Sequence, residues 1–119
     1  MRAIIINAQD RTVTAAEIDG SLKSLQQIVG GNIEPVTQGL DEFHHCYVNE
    51  EGLLENPEHF FLFKDGHQPL AGNGVILAQT DDGDEAPCTL LLRWVQERVT
   101  FMDAKAAWDW CRRHERQSD

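Results

Sequence analysis

Three consecutive isoleucines, Ile4, Ile5 and Ile6, stand within the run Arg2–Asn7, and this β-branched opening reads as a buried strand. Ala8–Arg11 supplies a polar turn into a second strand that ends near Ile18, so the chain begins as a hairpin. Asp19 and Gly20 break that pattern. Ser21 can then cap a helix that carries Leu22, Leu25 and Val29 at i, i+3 and i+7, and Gly30 and Gly31 end it. Ile33–Thr37 is expected as a third strand, which Pro35 pushes to a sheet edge because it cannot donate to a ladder. Phe43–Val48 is expected as a fourth strand, closed by the polar turn Asn49–Gly52.

Between Leu53 and Ala71 the pattern is weaker. Asn56 and Pro57 mark a boundary, and Phe60–Phe63 suits a short helix or a strand. Gly74–Gln79 reads as a further buried strand, followed by an acidic turn at Asp81–Glu85. Thr89 could cap a helix bearing Leu91, Leu92 and Val95, while the triple leucine also suits a buried strand. Val99–Phe101 looks extended. Asp103 is placed to cap a final helix with Ala104, Ala107, Trp108 and Cys111 on its inner face and Asp109 four residues before Arg113. Arg112, Arg113 and Arg116 suit the negative end of its dipole, and the last few residues should fray. These elements predict a single α+β domain over residues 1–119. A mixed or antiparallel sheet of about five strands, beginning with the hairpin, would pack on two or three helices.

Charge is distributed unevenly along this scaffold. The chain has 20 acidic and 10 basic side chains, a net charge of -10. From Glu34 to Glu85 twelve acids face one base, Lys64, whereas the segments on either side are nearly balanced. Direct binding to nucleic acid or to an anionic membrane needs clustered Lys and Arg, and is disfavoured. An acidic middle can simply keep a face solvated. It can also imitate the phosphate array of a duplex, which carries one charge per roughly 1.7 Å of axis, and so engage a protein's DNA-binding groove.

Residue types capable of other chemistry do not form a site in the sequence. No apolar stretch has the length of a membrane span or a signal-peptide core, and a cytoplasmic location is expected. Cys46, Cys88 and Cys111 make no C-x-x-C pair and read as small buried hydrophobes. His44 and His45 are adjacent on a strand and point to opposite faces, while His59, His67 and His114 lack metal-ligand spacing, so no metal is expected. The turn at Asp81–Glu85 lacks the spaced acids of a calcium loop, and Gly72, Asn73 and Gly74 precede a strand rather than the helix a phosphate cradle needs. With no nucleophile motif, neither a catalytic residue nor a cofactor is expected. Trp110 lies beside the apolar stripe of the last helix and, with His114 one turn on, is a candidate for a partner or dimer patch.

Several motifs occur in a recognisable order. They are Met1–Ile6, Glu17–Leu25, Val29–Glu34, Val48–Leu53, Asn56 and Pro57, Leu70–Val75 and Thr80–Asp84. Over about residues 1 to 85 this order resembles the domain-of-unknown-function 3846 family. The helix with Trp108 and Trp110 has no counterpart in the resemblance. That family has no established catalytic or binding residues to carry over, and the resemblance implies a setting on phages, plasmids and conjugative elements. The expected function is therefore a non-enzymatic interaction protein that inhibits or regulates a nucleic-acid-handling protein. Its partner surface is drawn from Asp41, Glu42, Glu50, Glu51, Glu55, Glu58, Asp81, Asp82, Asp84, Glu85 and Trp110. The alternatives are a small homodimeric accessory protein built on the tryptophan helix, and a metal-dependent hydrolase built on the histidines.

Overall fold

In strand β1 (Arg2–Asn7) Ile4 and Ile6 face one side of a sheet and Ala3 and Ile5 the other, and both sides are covered. This is the outcome expected of an apolar β-branched run. The computed structural model describes residues 1–115 and is an α+β fold whose strands pair antiparallel throughout. β2 (Thr12–Glu17) completes the hairpin with β1. The larger sheet continues through β7 (Asn73–Gln79) and β4 (His44–Asn49) to β3 (Ile33–Val36), in the order β2-β1-β7-β4-β3. Pro35 thus lies on an edge strand. The two-residue β8 (Glu85–Ala86) pairs with the end of β7.

Helix α1 (Leu22–Val29) covers one face of this sheet. The Ser21 hydroxyl accepts the Ser24 N–H at 3.1 Å, and Gly30 ends the helix in the left-handed region at φ 87°. Leu25 and Val29 pack on Ala3, Tyr47, Val75 and Leu77, while Leu22 stays exposed at the helix start.

The segment that the sequence leaves open builds a second sheet against the other face. It contains a 3₁₀ turn at Gly52–Glu55, then β5 (His59–Phe63) and β6 (Leu70–Ala71), joined by β9 (Val99–Asp103) in the order β6-β5-β9. Alternation along β5 sends Phe61 and Phe63 inward onto Ile4, Ile6, Cys46, Val48 and Ile76, and Phe60 outward. Each fully buried phenyl ring contributes about 1.5–3 kcal/mol over exposure.

Three expectations near the C-terminus are corrected. Helix α2 (Leu92–Arg98) does form, but Leu91 occupies its N-cap with no side-chain cap, because Thr89 is bonded to His44 instead. In α3 (Ala104–Glu115) Asp103 accepts the Ala106 N–H at 2.8 Å as a cap should, yet of the inner stripe only Ala107 is buried. Ala104, Trp108 and Cys111 are exposed, since the small sheet offers α3 only Phe60, Ala71 and Met102 to pack on. Asp109 pairs with Lys105 at 3.8 Å rather than with Arg113. Cys46 and Cys88 are buried as small hydrophobes, and Cys111 is not. The expected fraying of the last residues falls outside the described residues.

At Gly74 the Phe61 ring of the small sheet packs directly over the backbone of β7. A Cβ there would sit 2.7 Å from Cys46 Sγ and 2.8 Å from Phe61 Cζ, and neither atom belongs to a flexible chain end. Gly74→Ala should therefore destabilise by about 1–3 kcal/mol through overpacking, read as a lower urea midpoint at unchanged slope. An unchanged midpoint would show that the sheets can separate at this point at little cost.

Candidate functional site

Strand β4 decides where the acids of the middle segment lie. His44 pairs with Ala78 of β7 at one end, and Asn49 pairs with Ile33 at the other. Asp41 and Glu42 precede β4, and Asp81, Asp82 and Asp84 follow β7, so these five meet at one end of the larger sheet. A hydrogen bond of 3.0 Å from the Gln79 N–H to the Phe43 carbonyl joins the two segments there. Glu50 and Glu51 follow β4 at the opposite end. Glu55 and Glu58 stand beside them around a shallow cavity of about 260 Å³ whose other lining residues include Asn49, His59 and Asn73. At about 3.3 Å per residue, the six residues of β4 hold the two groups about 17 Å apart. The acids form two terminal patches rather than one surface.

Each patch also displays apolar side chains. Phe43, between Glu42 and His44, is 59% exposed, and in the 3₁₀ turn Leu53 and Leu54 are 64% and 82% exposed. In general, carboxylates can steer an approaching cation, and an uncovered apolar side chain can add contact once water is excluded.

Asp41 of the first patch, and Glu85, which follows that patch in the chain, serve buried histidines. His44 and His45 are 4% and 5% exposed and point to opposite faces of β4, as strand geometry requires. On the α1 side Glu85 closes a network: one carboxylate oxygen accepts the Tyr47 hydroxyl and the other lies 3.3 Å from His45 Nε2. The His45 and Tyr47 rings meet edge to face at 4.6 Å. Glu85 therefore belongs to β8 and is half-buried, with both oxygens engaged, rather than free in the acidic turn. Burial, reinforced by the Glu85 hydrogen bond and then by its charge, pushes the Tyr47 phenol well above its ordinary range.

On the other face His44 Nδ1 lies 2.8 Å from Asp41 Oδ1, and its Nε2 lies 3.3 Å from Thr89 Oγ1. Partial burial would raise the Asp41 carboxyl, but the hydrogen bonds from the His44 ring and from the Phe43 backbone outweigh it and hold the group below its usual range. Carboxylate, imidazole and hydroxyl in this order have the form of a nucleophile relay. The imidazole lone pair decides its role. Nε2 accepts the Thr89 backbone N–H at 3.1 Å, so the position a general base needs for the hydroxyl proton is taken by the main chain. The triplet staples the loop before α2 to the start of β4. Arg2 secures the same loop by donating to the carbonyls of Cys88 and Leu90 at 2.8 and 2.9 Å.

Trp110 is half-buried on α3 and stacks on His114 with ring centroids 3.7 Å apart. Trp108, two residues toward the N-terminus and so on a different side of the helix, is 66% exposed. Among the described residues no group of three or more His, Cys, Asp or Glu is arranged to hold a metal ion, and no helix is long and apolar enough to cross a membrane.

A family model described as a domain of unknown function, DUF3846, matches residues 1–99, from β1 to the start of β9. No curated protein and no solved structure matches the chain.

The chain contains one tyrosine, so its phenolate absorbance reports Tyr47 alone. A spectrophotometric titration should give a midpoint above the ordinary 10.0, and Glu85→Gln should lower it. Because the folded value is the raised one, the associated stability is present below the unfolded value and is lost as pH rises through the folded value. A wild-type midpoint at the ordinary value would mean that the phenol and carboxylate are not coupled.

Proposed function

The chain belongs to the DUF3846 family, and from that premise we propose that it is a non-enzymatic interaction protein of a mobile genetic element. It inhibits or regulates a protein that handles nucleic acid, and it works in the cytoplasm. The observation that carries this reading is the pairing of acids with exposed apolar side chains at both ends of the larger sheet: Phe43 among Asp41, Glu42, Asp81, Asp82 and Asp84, and Leu53 and Leu54 among Glu50, Glu51, Glu55 and Glu58. A nucleic-acid-binding groove presents Lys and Arg that attract such carboxylates, and Phe43 or Leu54 supplies the short-range contact that charge alone lacks. Two separated patches do not reproduce the continuous charge of a duplex. They suit a partner with discrete basic sites better than one that encloses a long DNA segment.

A second reading rests on α3, which presents Ala104, Trp108 and Cys111 to solvent. An uncovered tryptophan on a helix face is a common dimer anchor. Under this reading the chain is a homodimeric accessory protein.

The first reading is tested by immobilising the protein in host lysate at low salt and identifying what is retained. Nucleic-acid-handling proteins should be enriched, released at about 1 M salt, where the screening length is about 3 Å, and lost when Asp81→Lys and Asp82→Lys or Glu50→Lys and Glu51→Lys are introduced. Retention of no such protein at low salt would end the proposal. The second reading predicts a dimer by sedimentation that Trp108→Ser converts to a monomer; a wild-type monomer at high concentration would exclude it.

A further inference from the structure

Asp41 and Thr89, which hold His44 between them, line one side of a groove of about 630 Å³, within the size range of small-ligand sites. Leu40, Leu90, Leu91 and Trp94 provide its apolar surface, and Arg98 lines it from the last residue of α2. In this strongly acidic chain Arg98 is a half-buried cation with little to hold it. Its guanidinium lies over the Trp94 ring at 4.4 Å, which fixes its plane. Its Nη2 is 3.5 Å from Asp65 Oδ2, a long ion pair with a carboxylate that is 75% exposed and therefore screened. Its Nε is the one buried side-chain nitrogen or oxygen without a hydrogen-bond partner among the described residues. A guanidinium normally satisfies its fork of N–H donors with a bidentate carboxylate or phosphate, and this one does not.

We propose that this groove binds a small carboxylic acid with an apolar or aromatic body, the carboxylate on the Arg98 guanidinium and the body against Trp94, Leu90 and Leu91. The negative groups already present select against a more highly charged ligand. Asp41 is engaged by His44 and carries a full charge, and Asp65 competes for Arg98. A single carboxylate can replace the exposed Asp65 at the guanidinium, whereas a phosphate dianion would meet two carboxylates. The apolar walls provide the remaining affinity by removing ligand surface from water. This site differs from the acidic patches in what it recognises, and it does not depend on the function proposed for them.

The test compares 4-phenylbutyrate with its neutral isostere 4-phenylbutanamide, titrated into the 119-residue chain and followed by the indole N–H resonances of its three tryptophans. The acid should bind saturably, shift Trp94 but not Trp108 or Trp110, and bind about tenfold more tightly than the amide. Arg98→Gln should reduce binding of the acid to the level of the amide while leaving the amide unchanged. Asp65→Asn should act in the opposite direction and strengthen binding of the acid, because it removes the competitor, so a folding defect in the arginine variant would not hide the result. Equal affinity for acid and amide, a shift confined to Trp108 or Trp110, no saturable binding of the acid, or weaker binding in Asp65→Asn would each overturn the proposal.

Discussion

Everything in this fold is arranged around a stretch of β7, Val75, Ile76 and Leu77, whose side chains are entirely removed from water although they point to alternate faces. Such a strand needs cover on both faces and a hydrogen-bonding neighbour on both edges. β1 and β4 fill the edges, α1 covers one face, and the small sheet covers the other. In the chain this central strand comes after the hairpin, α1 and β4 that surround it.

Placing two histidines in β4, the inner neighbour of β7, sets a second constraint. A buried imidazole without partners would cost several kcal/mol in lost hydration. Each ring is satisfied from a distant segment, His45 by Glu85 and His44 by Thr89, with Asp41 as a local partner. The polar groups that β4 buries thereby fix the loops leading out of β7 and into α2. Specific position comes from hydrogen bonds here, and most of the favourable energy comes from the apolar layers on either side.

Much of the scaffold was legible in the sequence because its signals are local. The isoleucine run, the Ser21 cap, the Gly30 stop, the edge position of Pro35 and the Asp103 cap all act within a few residues, and each appears where expected. Segment 53–71 was not legible, because Phe60–Phe63 takes its form from β9, which lies about forty residues further on in the chain. The α3 stripe has ordinary amphipathic spacing, but spacing cannot show how wide a surface will be available to bury it. At the candidate site, the sequence located the acids and did not order them in space. Asp41 and His44 are only three residues apart, a local spacing, whereas Glu85 and Thr89 reach their histidines across 40 and 45 residues.

The antiparallel pairing of β4 with β7 also acts as a ruler. Because both acidic ends are fixed to the same hydrogen-bonded ladder, their separation is set by strand length and cannot relax as it would across a linker. A partner whose cationic sites match that spacing would gain from the second contact as an intramolecular event at high effective concentration, and one with a different spacing would make a single weak contact. Discrimination between partners could then change through the length of a buried strand, with every surface residue left as it is.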